Sequence, residues 1–265
     1  MTYIHPLDRG MPEGTRVMPE RTEVVWTYRP PDFFEAPYRH RGTECDLLIE
    51  AGKAVAILRV AQDPVDAQLE DSIRKLVESV CAIRQLQVHR KYDVEGPTIY
   101  QHAGGRQNVA IRVGTAEVVM VTGQVDIIVR DAAGNVVRDT KAEHVAEDTS
   151  MLELLAPKLA HSPSLRSAVA SYSRSISDPG NELVHLYEVR DTLRKHYGGK
   201  DAARVALNIT EAEWKRLGVL ANVEPLEQGR HRGNHAAGRR SATESELQEA
   251  RKIVRRWVIA FGHVV

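Results

Sequence analysis

The sequence has little of what disulfide-stabilised or membrane-spanning proteins require. Only two of its 265 residues are cysteines, Cys45 and Cys81, and they lie in separate predicted elements. Two unclustered thiols argue against a disulfide framework and indicate a reducing compartment. No window approaches the roughly 20 apolar residues of a transmembrane helix, and residues 1–14 lack the apolar run of a signal peptide. These absences predict a cytoplasmic protein with no membrane partner.

The formal net charge is zero, because 36 lysines and arginines balance 36 aspartates and glutamates. The chain as a whole is therefore not committed electrostatically to nucleic acid. The charge is unevenly distributed, since residues 229–256 hold eight basic and three acidic residues. Such a local positive excess is typical of a nucleic-acid-binding surface, although charge runs are more often solvated faces.

Residues 1–140 have the pattern of a mixed α+β domain. A short strand is expected at Thr22–Tyr28, and the apolar runs Cys45–Ile49 and Ala54–Val60 flank a turn, which indicates a hairpin. An apolar stripe with helical spacing predicts a helix from Asp66 to Leu86. Runs rich in β-branched residues predict further strands at Val109–Val113, Glu117–Thr122 and Val125–Arg130, with a hairpin turn at Asp131–Asn135.

Residues 141–265 have helical periodicity throughout. The fold class is therefore α+β, a mixed α/β-sheet domain over 1–140 followed by an all-α bundle over 141–265. Capping boxes begin the last two helices. The predicted helices are Lys141–Leu159 with a break at Pro157, Ser164–Ser175, Asn181–Tyr197, Thr210–Leu220 and one that begins at Thr243.

Before the last helix, four residues separate an arginine, Arg230, from a histidine, His235. Cleavage of RNA by its own 2′-hydroxyl needs a proton acceptor, a proton donor and stabilisation of negative charge on phosphorus. His235 can transfer protons near neutral pH, an effect worth about 10²–10⁴ in rate. Arg230 can pair with the non-bridging phosphate oxygens. These two residues are the predicted catalytic pair.

Neighbouring polar residues are candidates for supporting roles. His231 and Asn234 lie within the same segment and can position the ribose or a phosphate. Arg232, Arg239 and Arg240 carry the positive charge expected of RNA-binding residues.

The spacing of the pair sets a geometric problem. On a regular helix, residues five apart lie about 140° from each other, so Arg230 and His235 would not share a face. Glycines in the segment favour a turn that brings the two together, and the alternative is a site shared between two chains. Glu188 and Asp191, neighbours on a predicted helix, can hold an arginine or histidine in place, or be ordinary exposed charges.

A metal site is the weaker interpretation of the same residues. His231 and His235 have a spacing that binds metal on a helix, but glycine interrupts the helix and no cysteine or acid cluster lies nearby. We therefore expect no metal and no other cofactor.

Over about Pro163–Val265 the sequence resembles the HEPN superfamily, helical bundles that carry Arg, a polar residue, and His after a short spacer. Arg230, His231 and His235 meet this pattern; residues 1–140 resemble no family. The resemblance implies a metal-independent endoribonuclease that leaves a 2′,3′-cyclic phosphate and completes its site in a homodimer. A toxin or phage-defence effector, with RNA as substrate and an antitoxin or defence-system protein as a further partner, is the setting we expect.

Two alternatives remain open at this point. The bundle can be a non-catalytic HEPN-like module that binds RNA, a nucleotide or a protein, because binding needs the arginines but not a titrating histidine. Alternatively, the N-terminal domain is the active part and the bundle a dimerisation module, although no catalytic constellation in residues 1–140 supports that.

Overall fold

The N-terminal part of the chain forms an antiparallel sheet and the C-terminal part a set of helices. The computed structural model describes residues 20–62, 64–103, 106–111, 128–130, 135–230 and 238–265. Within these residues the fold class is α+β, as the sequence predicts.

Six strands make up the main sheet, in the order β2-β3-β4-β1-β5-β6 with antiparallel neighbours throughout. Alternate residues of β1, such as Val24 and Trp26, are fully buried, which is the period-two pattern of a sheet with one buried face. The strands are β1 (Arg21–Arg29), β2 (Tyr38–Arg41), β3 (Cys45–Glu50), β4 (Lys53–Leu58), β5 (Asp93–Ala103) and β6 (Arg106–Ile111).

Helix α1 (Ala67–Val88) connects β4 to β5. It begins at Asp66, whose side chain accepts a hydrogen bond from the backbone of Gln68, and it ends at His89 in the left-handed conformation. The helix predicted from Asp66 to Leu86 is therefore confirmed, as are the strand at Thr22–Tyr28 and the following hairpin.

The strands after α1 differ from the sequence predictions. β5 was not predicted, and only part of the strand expected at Val109–Val113 coincides with β6. A separate hairpin pairs β7 (Ile128–Arg130) with β8 (Val136–Asp139). The predicted strand Glu117–Thr122 lies outside the described residues, as does most of the predicted turn at Asp131–Asn135.

Among the described residues, six α-helices follow β8. Both predicted capping boxes are present, at Thr210 and Thr243. The break expected at Pro157 is wrong, because α2 continues through that residue to His161. The short helix after Gly199 was not predicted. The helices are α2 (Thr140–His161), α3 (Pro163–Ser177), α4 (Glu182–His196), α5 (Lys200–Ala206), α6 (Glu211–Asn222) and α7 (Glu244–Val264).

The apolar core crosses the predicted domain boundary at residue 140. Buried side chains of the sheet, α1 and the C-terminal helices belong to one cluster. A polar contact joins the same parts, because the buried guanidinium of Arg84 on α1 binds the carboxylates of Glu35 and of Asp148 on α2. The described helices and the sheet therefore share a single interior.

Candidate functional site around Arg230

The backbone after α6 fixes the position of Arg230. Its amide donates to the carbonyl of Ala221 in the last turn of α6, at 2.7 Å. The preceding Gly229 allows this close approach, since a Cβ there would lie 3.1 Å from the same carbonyl oxygen. Arg230 is thus outside any helix and is anchored to the end of α6.

A short bridge closes the segment in which Arg230 lies. The amide of Arg240 donates to the carbonyl of Pro225 at 3.0 Å, and the amide of Glu227 donates to the carbonyl of Arg240 at 3.0 Å. These bonds hold the chain entering the segment against the chain leaving it. Four of the predicted site residues, His231, Arg232, Asn234 and His235, lie outside the described residues.

Two residues of α4 contact the side chain of Arg230. Nη1 of Arg230 donates to Oδ2 of Asp191 at 3.2 Å, and its guanidinium carbon lies 4.6 Å from the ring centroid of Tyr187. A cation over an aromatic face is stabilised by the ring quadrupole, and the ion pair adds a directional bond. About a third of the side chain, 37%, stays accessible. The structure therefore holds the guanidinium in place on a side chain that is partly open to solvent.

Arg190 lies beside the same ring. Its guanidinium carbon is 4.7 Å from the centroid of Tyr187 and 4.7 Å from that of Trp214, and Trp214 stacks on Trp257 in the core. Burial lowers the pKa of Arg190, which nevertheless stays charged. Among the described residues it has no hydrogen-bond acceptor. Tyr187, Arg190, Asp191 and Arg230 are called the arginine platform below.

The two acids singled out on α4 have different partners. Asp191 faces Arg230 and also approaches Arg194, with Nη2 to Oδ1 at 3.7 Å. Glu188 instead binds Arg174 at 3.0 Å, so its carboxylate belongs to the contact between α3 and α4. Only Asp191 is placed to orient Arg230.

Many arginines of residues 229–256, the basic segment predicted to face RNA, are paired with carboxylates of the protein itself. Arg240 makes two bonds to Glu246, at 2.8 and 2.7 Å, and these lower the pKa of Glu246 to about 2. Arg251 makes two bonds to the buried Glu182, at 2.6 and 2.9 Å. Arg239 is exposed. Two further pairs are Arg255–Glu147 and Arg256–Glu213.

The count along the sequence therefore overstated the free positive charge of this segment. Three of the neutralising acids, Glu147, Glu182 and Glu213, come from α2, α4 and α6, which are distant in sequence but adjacent in the fold, whereas Glu246 belongs to the segment itself. An exposed arginine paired with a carboxylate offers a weaker field to a polyanion than an unpaired one.

Sequence reasoning missed Tyr187 and Arg190. The signal was present on α4, because Tyr187, Arg190, Asp191 and Arg194 follow the spacing that places residues on one helical face. An aromatic residue in such a stripe is more often part of the core, so the pattern alone does not indicate a ligand site.

Within the described ranges, no cluster of three or more His, Cys, Asp or Glu has a metal-binding arrangement. Over the same ranges, no helix has the length and apolarity needed to cross a bilayer.

Comparison with known proteins identifies no relative: neither a family model, nor a curated protein, nor a solved structure matches the chain.

Proposed function

We propose that the protein is a metal-independent endoribonuclease of the HEPN type. The observation that carries the proposal is the setting of Arg230, held by Asp191 and Tyr187 at the start of the segment that contains His235. A fixed, partly accessible guanidinium is suited to bind a phosphate oxygen where negative charge develops.

In the proposed reaction, the 2′-hydroxyl of RNA attacks the adjacent phosphorus and displaces the 5′-oxygen of the next nucleotide. The products are a 2′,3′-cyclic phosphate and a 5′-hydroxyl. His235 transfers the proton from the attacking hydroxyl or to the leaving oxygen. Arg230 stabilises the charge on the non-bridging oxygens, and Asp191 keeps Arg230 in position.

The first test is cleavage of single-stranded RNA in EDTA by the wild type and by Arg230→Ala, His235→Ala and Lys252→Ala variants. We expect cleavage by the wild type and by the Lys252 variant, which changes an exposed charge of α7, and a loss of at least about a hundredfold in the other two. Equal cleavage by all four proteins, or none by the wild type, would contradict the proposal.

A second test separates a site within one chain from a site shared by two. If Arg230 of one copy acts with His235 of another, mixing the two inactive variants assembles one intact site in each mixed dimer, and activity returns. Sizing of the wild type on a calibrated column shows whether a dimer exists. A mixture that stays inactive would place both residues in one chain.

A non-catalytic binding module is the second candidate. The contacts of Arg230 support it, because a guanidinium held by Asp191 and Tyr187 can bind a phosphate without a proton-transferring histidine. This alternative predicts that the His235→Ala variant binds RNA as tightly as the wild type and that neither protein cleaves it.

A further inference from the structure

Positive charge is in excess on the surface formed by α4, α5 and α6. Asp191 is shared by Arg194 and Arg230. Glu211, at the start of α6, is shared by three cations, and the hydrogen bond from Lys200 lowers its pKa. We call this surface the α4–α6 basic face. Its cations are Arg190, Arg194, Lys200, Arg204, Lys215 and Arg230.

Arg190 joins the two helices of this face, because its guanidinium carbon lies 4.7 Å from the ring centroids of both Tyr187 on α4 and Trp214 on α6. Glu211 lies about one helical turn before Trp214 on α6. Among the residues that the structure describes, the acids that pair with these six cations are Asp191, Asp201 and Glu211. The net charge of the face is thus positive.

On the surface around α7, two arginines each lie near more than one carboxylate. Arg251 is bound by both Glu182 and Glu244, and Arg240 approaches both Glu224 and Glu246. On the α4–α6 basic face, Asp191 serves two cations and Glu211 serves three. A polyanion is therefore attracted to α4 and α6 more strongly than to α7.

The arginine platform offers two adjacent phosphate-binding groups. The guanidinium carbons of Arg190 and Arg230 each lie within 4.7 Å of the Tyr187 centroid, so they are less than twice that distance apart. Successive phosphates of an extended nucleic acid strand are separated by a comparable distance. Because both guanidiniums lie over this ring, Tyr187 is poorly placed to stack on a base. Contacts to phosphate do not distinguish one base from another.

We propose that single-stranded RNA lies along the α4–α6 basic face, with Arg190 and Arg230 binding successive phosphates. That the bound strand is RNA rests on the proposed function. The proposal adds the path of the RNA over the surface and names Arg190 as a further phosphate-binding residue. Recognition along this path depends on the backbone and tolerates different base sequences.

The test measures how salt affects the affinity for a 2′-O-methyl oligouridylate, which binds like RNA but cannot be cleaved through its 2′-oxygen. The double variant Arg190→Gln/Lys215→Gln removes two charges from the α4–α6 basic face. The matched control Lys252→Gln/Arg255→Gln removes two charges from α7. Thermal unfolding of each variant verifies that it is folded.

Each lost phosphate contact lowers the slope of log affinity against log salt by about 0.7 for a single strand. We expect a decrease of up to about 1.4 in the face variant and little change in the control. Equal slopes in both variants, or a wild type that shows no salt-dependent binding, would overturn the proposal. Cleavage of unmodified RNA by the wild type is measured in parallel. If the wild type cleaves RNA but the face variant has an unaltered slope, the proposed RNA path is refuted and the catalytic function is not. If the face variant has an altered slope but the wild type does not cleave RNA, the catalytic function is refuted and the path is not.

Discussion

Asp191 and Arg230 form an ion pair of 3.2 Å although 39 positions separate them in the sequence. The contact joins the middle of α4 to the segment that follows α6. The backbone fixes the position of both residues, because Asp191 lies on the regular helix α4 and the amide of Arg230 is bonded to the end of α6. It gives the proposed phosphate-binding arginine a defined orientation.

Removing this carboxylate should impair catalysis more than stability. We expect Asp191→Ala to lower kcat about tenfold with a smaller effect on KM, because a loosened Arg230 mainly loses contacts made in the transition state. The free energy of unfolding should change by about 1 kcal/mol or less, as for other exposed pairs. Glu188→Ala is the matched control. The Glu188 carboxylate binds Arg174 and Ser171 and lies 3.3 Å from His185, away from Arg230, so this variant should retain kcat. An unchanged kcat in Asp191→Ala would argue against orientation of Arg230 by Asp191.

Gly218 of α6 provides the space for Arg190. A Cβ at this position would lie 2.6 Å from Nη1 of Arg190 and would displace the guanidinium. We expect Gly218→Ala to weaken binding of the 2′-O-methyl oligouridylate several-fold. The fold should be retained, since alanine favours a helix over glycine by about 1 kcal/mol. Gly199→Ala serves as control, because its Cβ would have no neighbour within 4 Å. Affinities that match in the two variants would contradict a role for Arg190.

The buried guanidinium of Arg84 is a stability determinant that links the sheet to the helices. It donates to the carbonyl of Phe33 at 2.9 Å and binds Glu35 and Asp148, with only 3% of its side chain exposed. Asp148→Ala should destabilise the protein by about 3 kcal/mol, because it leaves a buried charge with fewer partners.

Urea unfolding of Asp148→Ala checks this value, and Asp46→Ala, which breaks the exposed pair with Arg59, is the control. A loss of less than about 1 kcal/mol in both variants would show that the buried contact is not a determinant of stability.

His89 makes stability depend on pH. Burial lowers its pKa to about 4 from 6.5, and the nearby Glu182 does not reverse this because Arg251 binds both of its oxygens. Between these values the unfolded chain binds the proton and the folded protein does not, so stability falls as pH decreases from 6.5 to 4 and is unaffected by His89 above 6.5. The loss over this window is about 3 kcal/mol.

The comparison is made with His89→Asn, because asparagine tolerates the left-handed backbone at this position. Urea unfolding of both proteins at several pH values isolates the effect of His89 from other titrating groups. The stability advantage of the wild type over the variant should shrink as pH decreases through the window. A difference that is constant with pH, or that grows on acidification, would contradict the assignment.

Local signals in the sequence predicted most of the elements. Strand β1 and the helices that begin at the capping boxes of Thr210 and Thr243 are confirmed. Their signals depend on residues close together along the chain. β5 contains Gly96 and Pro97, which obscure the strand pattern, and its position is set by pairing with β1 and β6. Pro157 lies within α2 because packing of the flanking residues outweighs its effect on the helix.

The site was less predictable because it depends on contacts between distant residues. Arg230 and Asp191 were both identified as candidates, but their contact follows from the bond between Arg230 and Ala221, which no local pattern encodes. The net charge of the segment likewise depends on acids from α2, α4 and α6. The roles of His231, Arg232, Asn234 and His235 remain predictions from sequence.

The chemistry of the RNA ends tests the central proposal most directly. The wild-type protein and its Arg230→Ala and His235→Ala variants are incubated with single-stranded RNA in EDTA, and the termini of the fragments are identified by mass spectrometry. We predict 2′,3′-cyclic phosphate and 5′-hydroxyl ends from the wild type, and intact RNA from both variants. Fragments with 5′-phosphate ends, or RNA left intact by the wild type, would contradict it.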